Sequence, residues 1–150
     1  MKPRWEHFED GPRTGVRGFG STPAEAFEQA GLAFTATLAD PGRVGAWETI
    51  ELRCEAPDLE RLLATWLRLL AAEAATRHLV FSRFELRLDG GRLTARVAGE
   101  HMDLRHRRLP RLAESAAVHA GRHGDGWLAQ ASLDVDGAAR REPPSRGKAA

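Results

Sequence analysis

The sequence predicts an α+β fold, a mostly antiparallel sheet with two main helices packed on one face. Three observations predict it: two stretches carry helix-start signals followed by apolar residues at helical spacing, several others alternate apolar and polar residues with period two, and short turns containing Gly and Asp join the alternating runs. A chain of 150 residues with 42% hydrophobic content suits one domain. That domain is assigned to residues 1–136. Residues 137–150, rich in Pro, Arg and small residues, are expected to form a flexible tail that folding does not need.

WEHFE and RTGVRGF read as short strands bent apart at Gly11-Pro12, and this turn sets Asp10 three residues before Arg13 as though to present them. STPAEAFEQAGLAFTATLAD opens a helix, with Thr22 as cap, Pro23 in the first turn and Glu25 closing a capping box. WETIELRCEA alternates, placing Ile50, Leu52 and Cys54 on one face and Thr49, Glu51, Arg53 and Glu55 on the other, as a half-buried strand does. From Asp58 the run DLERLLATWLRLLAAEAATRH spaces Leu59, Leu62, Leu63, Trp66, Leu69 and Leu70 as the stripe of a long amphipathic helix. HLVFSRFELRLDGGRLTARVAGE holds two alternating runs joined at Asp89-Gly90-Gly91, a hairpin signal. RLAESAAVHAG and GWLAQASLDV read as two further strands separated by His123, Gly124 and Asp125. The last run puts Trp127, Ala129, Ala131, Leu133 and Val135 on one face, and Gln130, Ser132, Asp134 and Asp136 on the other.

Composition narrows the function. A formal net charge of +1 is not that of a dedicated nucleic-acid binder, so DNA is not expected as a partner. The basic run LRHRRLPR, with Arg105, Arg107, Arg108 and Arg111, reads first as solvated surface and second as a phosphate contact. MKPRWEHFED contains no apolar run, so a cytoplasmic location without membrane attachment is expected. Cys54 is the single cysteine and is expected to pack. No GxxxxGK, HExxH, CxxC or GxSxG occurs, and His101, His106, His119 and His123 lack the spacing of a zinc site. Asp134 and Asp136 point the same way from one strand, roughly 6.5–7 Å apart by strand rise, and read either as a solvated strand end or as ligands of one hard cation.

The ordered series WEHFEDGPRTGVRGFGSTPAEAFEQAGLAFTATLADP, LRCEAPDLERLLATWLRLLAAEA, FSRFELRL, AGEHMD and WLAQASLDV resembles the archease family from about Trp5 to Asp136. GVRGFG, EAPDLERLL, FSRF and the closing LDV carry the resemblance best. It implies a compact two-layer α+β sandwich and a role as an accessory protein, not itself an enzyme, that activates an RtcB-type RNA ligase. Such a protein promotes guanylylation and turnover of the ligase in tRNA splicing or RNA repair, with a divalent metal (Ca²⁺, or Mg²⁺/Mn²⁺) held by aspartates. The metal candidates implied are Asp134, Asp10 and Asp136, with the backbone carbonyl of Val135.

One motif departs from the family. Where members read FEH, a small pair and then Asp before IGVRG, this chain reads FED, Gly11, Pro12 and Arg13. The acidic ligand has become Arg13 and the histidine Asp10, whereas the C-terminal acid is retained as Asp134. A lysine of the penultimate strand aligns with Glu114, and Asp103 to Arg111 matches only with a shift. Three functions stay open, in this order: a ligase activator in which Asp10 takes over from the lost aspartate, a diverged metal-free module or chaperone that binds protein or RNA, and an unrelated carboxylate-dependent hydrolase.

Overall fold

The structure, a computed structural model, describes residues 1–113 and 117–135. In chain order its elements are β1 (Arg4–Asp10), β2 (Arg13–Gly20), α1 (Pro23–Thr35), a 3-10 turn (Pro41–Arg43), β3 (Glu48–Glu55), α2 (Leu59–Arg77), β4 (Leu79–Asp89), β5 (Arg92–His101), β6 (Arg111–Leu112), β7 (His119–His123) and β8 (Gly126–Asp134). Both helices start where their caps dictate. The Thr22 hydroxyl accepts the Glu25 N–H at 3.1 Å, and the Asp58 carboxylate accepts the Arg61 N–H at 2.8 Å. The Glu25 carboxylate reaches back one residue beyond the cap, to the N–H and hydroxyl of Ser21, both at 2.7 Å. α2 ends at His78, whose φ of 52° closes it in the left-handed region.

Every ladder among the described residues is antiparallel, and the strands divide between two sheets. The first runs β1-β2-β8-β6, with β7 also pairing β8; the second runs β3-β5-β4. α1 packs on β1, β2 and β8 of the first sheet and on β4 of the second, while α2 touches β3, β4 and β5 as well as β6 and β7. The helices therefore bury more than a single stripe. In α2, Leu62, Leu63, Ala64, Trp66, Leu67, Leu70 and Ala74 are buried, whereas Leu59 and Leu69 are half-buried. Among the described residues no helix is long and apolar enough to cross a membrane.

The β4–β5 hairpin closes through Gly90 and Gly91, both at positive φ (58° and 88°), as a two-residue turn with this twist requires. The expected continuous strand RLAESAAVHAG is corrected. It supplies two short strands, joined to β8 through Leu112↔Leu133 and His119↔Gln130; six positions separate these pairings on one side and two on the other, so the two strands do not share one register.

β4 is an edge of the second sheet, and α1 covers its free backbone groups. The Leu86 N–H donates to Glu28 Oε2 at 2.9 Å, and the buried Thr35 hydroxyl donates to the Phe81 carbonyl at 2.7 Å. Burial pushes the Glu28 carboxyl above its ordinary value, against the Leu86 N–H that lowers it. A carboxyl raised in the folded state stabilises while protonated and loses that contribution as the pH rises through its folded pKa. Glu28→Gln keeps an acceptor for Leu86 and removes the charge. It should raise the Tm at neutral pH, with the gain vanishing below about pH 4.3, where the wild-type carboxyl is protonated folded or unfolded. Equal shifts at both pH values in paired thermal melts would refute this.

Candidate functional site

Asp10 and Arg13 face each other across the β1–β2 ladder because the turn between them has only two residues. Gly11 takes a φ of 61° and the Pro12 ring fixes a negative φ, the pattern of a II′ turn that matches strand twist. On its other side β2 pairs with β8, with Thr14 opposite Leu133, so the next step brings Arg13 to Asp134. Arg13 Nε donates to Asp134 Oδ1 at 3.3 Å, with the two side chains 33% and 39% exposed. β6 adds Arg111 opposite Asp134 from the far side of β8. The Asp134 position thus lies between two arginine-bearing strands. Asp10 accepts a hydrogen bond from the hydroxyl of Ser132, itself buried and two residues before Asp134 on the same face of β8.

The same face continues inward as a ladder of charged and aromatic groups. The Phe8 ring packs over Gly15, where an added Cβ would stand 2.2 Å from the ring. The Arg17 guanidinium sits 4.2 Å above that ring, and it donates to Glu6 at 2.6 Å and to Gln130 at 2.8 Å. Hydrogen bonds from Arg17, and then from Arg4, hold the Glu6 carboxyl below its ordinary range. Sequence reasoning missed this ladder and the Ser132 contact. Counting outward from Gly11-Pro12 reveals it, because Glu6 and Arg17 are equidistant from the turn and must pair.

The other expected site residues fall as follows. Val135 follows the end of β8 and is partly buried. Asp136, Glu114 and the tail 137–150 lie outside the described residues. Arg105 forks onto Asp103 at 3.0 and 2.9 Å, which holds the Asp103 carboxyl below its ordinary range. Arg107 donates to the Leu38 carbonyl at 2.8 Å, Arg108 is exposed, and Arg111 alone of the four stands beside Asp134. His101 pairs with Glu48 at 2.9 Å and His119 with Glu60 at 3.2 Å, on separate parts of the surface. Cys54 is half-buried, and burial pushes its thiol up, as suits packing rather than reactivity.

Does this donor set fit a divalent metal? A hard cation of Ca²⁺ type needs about 6–8 oxygen ligands, several of them carboxylate. At the strand ends the described residues offer Asp134, already paired with a guanidinium, and Asp10, already accepting from Ser132. Among the described residues no group of three or more His, Cys, Asp or Glu could hold a metal ion. The set that the described residues offer does not fit.

Residues 5–135 match the model of the Archease protein family. Similar relatives include the protein archease of Thermococcus gammatolerans, 38% identical over 104 residues, which are 67% of this chain and 73% of that protein. The protein archease of Methanosarcina barkeri is 30% identical over 142 residues, 88% of this chain and 96% of that protein. The solution structure of Methanobacterium thermoautotrophicum protein 1598 superposes with a TM-score of 0.71 at 27% identity, covering 87% of this chain and 97% of that one.

Proposed function

The chain belongs to the archease family, and from that premise we propose that it is an accessory protein that activates an RtcB-type RNA ligase. In this role it promotes guanylylation and turnover of the ligase in tRNA splicing or RNA repair and leaves the sealing chemistry to its partner. The observation that supports the reading is the continuous family match over residues 5–135, which takes in the three strands carrying Asp10, Arg13 and Asp134. Incubating the purified chain with an RtcB-type ligase, GTP and the ligase's own metal should raise the yield of guanylylated ligase. No stimulation of any tested ligase by folded protein would overturn the proposal.

A second reading, a metal-free module that binds ligase or RNA without activating it, is favoured by the Arg13–Asp134 ion pair. Co-purification with the ligase without stimulation would select it. Since Arg105 and Arg107 already hold internal partners, Arg111 is the residue of the basic run best placed for a phosphate of ligase-bound RNA. Such a contact weakens with salt.

A further inference from the structure

We infer that in this chain the Arg13 guanidinium takes the place of a divalent metal as the fixed positive charge on Asp134, so that the site works without a metal. The inference deepens the ligase-activator reading and rests on it only for what the site serves; the chemistry of the site and its test stand apart from the ligase.

Three observations carry it. The first is register: the two-residue turn at Gly11-Pro12 and the β2–β8 ladder, with Thr14 opposite Leu133, set Arg13 beside Asp134, and Nε lies 3.3 Å from Oδ1. A guanidinium carries a permanent charge and presents a planar fork of donors that matches a carboxylate, so the negative charge is neutralised without a dissociable ion. The second is the state of the other acid. Asp10, the residue best placed to supply a replacement ligand, accepts the hydroxyl of Ser132, and that hydroxyl is buried and would lose its acceptor if Asp10 turned to a metal. The third is the surrounding charge: Arg111 stands across β8 from Asp134, so a cation entering here meets arginines in both strands that flank the carboxylate. The pair is nonetheless only partly covered, at 33% and 39% exposure, and a partner can meet the ionic surface it forms.

Calorimetry with Ca²⁺, Mg²⁺ and Mn²⁺, read beside the melting temperature with each ion and with EDTA, tests this on the full chain. The unaltered chain should give no saturable heat and an unchanged Tm in every condition. Arg13→Asp removes a positive charge and adds a ligand, and it should bind Ca²⁺ at least about tenfold more tightly, with a Ca²⁺-dependent rise in Tm. Arg13→Ala, which removes the charge alone, should fall between them, and it reads the same effect if Arg13→Asp fails to fold. Tight, saturable binding by the unaltered chain would overturn the inference, as would the absence of any gain in both folded variants. Loss of ligase stimulation with these ion results intact would count against the activator reading alone.

Discussion

Trp66→Ala should destabilise the fold by about 3–5 kcal/mol, the range for emptying a buried tryptophan site. Trp66 is 0% exposed and stands where α2 meets both α1 and β4. Its indole N–H donates to the Phe27 carbonyl of α1 at 3.2 Å, and its ring meets Phe84 of β4 edge-on, with centroids 6.0 Å apart. Phe84 in turn packs on Phe81 at 6.4 Å. Truncation thus removes the transfer energy of a large ring and leaves a cavity whose walls belong to three elements that cannot collapse independently. It also strips the buried Phe27 carbonyl of a donor. A loss of this size lowers the Tm of a chain this long by about 6–20 °C. Trp66→Phe keeps part of the ring but not the N–H, and should fall well short of that loss. A melting temperature for Trp66→Ala within a degree or two of the parent would show that the helices do not lean on this residue.

That prediction was available from the sequence because helical spacing marks which residues share a face. Other features were legible for equally local reasons: Thr22 and Asp58 open helices as side-chain caps, and Asp89-Gly90-Gly91 can be followed only by a returning strand. Alternation, however, says which residues of a strand point together and not which sheet they join. The division into two sheets, and the burial of Leu67 beyond the expected stripe, follow from helices that serve both sheets at once. The break between β6 and β7 was hidden because Ala113 and the residues on either side read as one mild alternation, whereas the pairing partner β8 sets the register.

The site was legible to a similar depth. Arg13 and Asp134 could be named, because a tight turn and an alternating C-terminal strand each fix a direction, and the resemblance placed them together. The hydrogen bond from Ser132 to Asp10 could not be, since it reaches past β2 and depends on the strand order and on the register that sets Ser132 opposite Gly15. Nor could the commitment of Arg105 and Arg107 to Asp103 and Leu38, which turns half of an apparent basic patch into structural contacts.

Gly18→Val should be the second costly substitution, at about 3 kcal/mol or somewhat more, the upper part of what overpacking brings. The motif GVRGFG places Gly18 on the face of β2 that receives α1. There a Cβ would stand 2.2 Å from the Ala26 carbonyl oxygen and 2.4 Å from the Ala30 nitrogen. These are helix backbone atoms, so no rotamer change relieves the clash and α1 must lift from the sheet. Gly15 is the informative contrast on the opposite face. Its Cβ would also come within 2.2 Å of a neighbour, but that neighbour is the Phe8 ring, which is half-exposed and can swing outward. Gly15→Ala should therefore cost less than Gly18→Ala, although the two sites look equally tight by distance. Displacing α1 also bears on the candidate site, because α1 is what β2 rests on and β2 holds Arg13 opposite Asp134. Urea unfolding of the three single variants measures the order of costs. If Gly18→Val unfolded at the parent's denaturant midpoint, the close approach of α1 to β2 would not be a requirement of the fold.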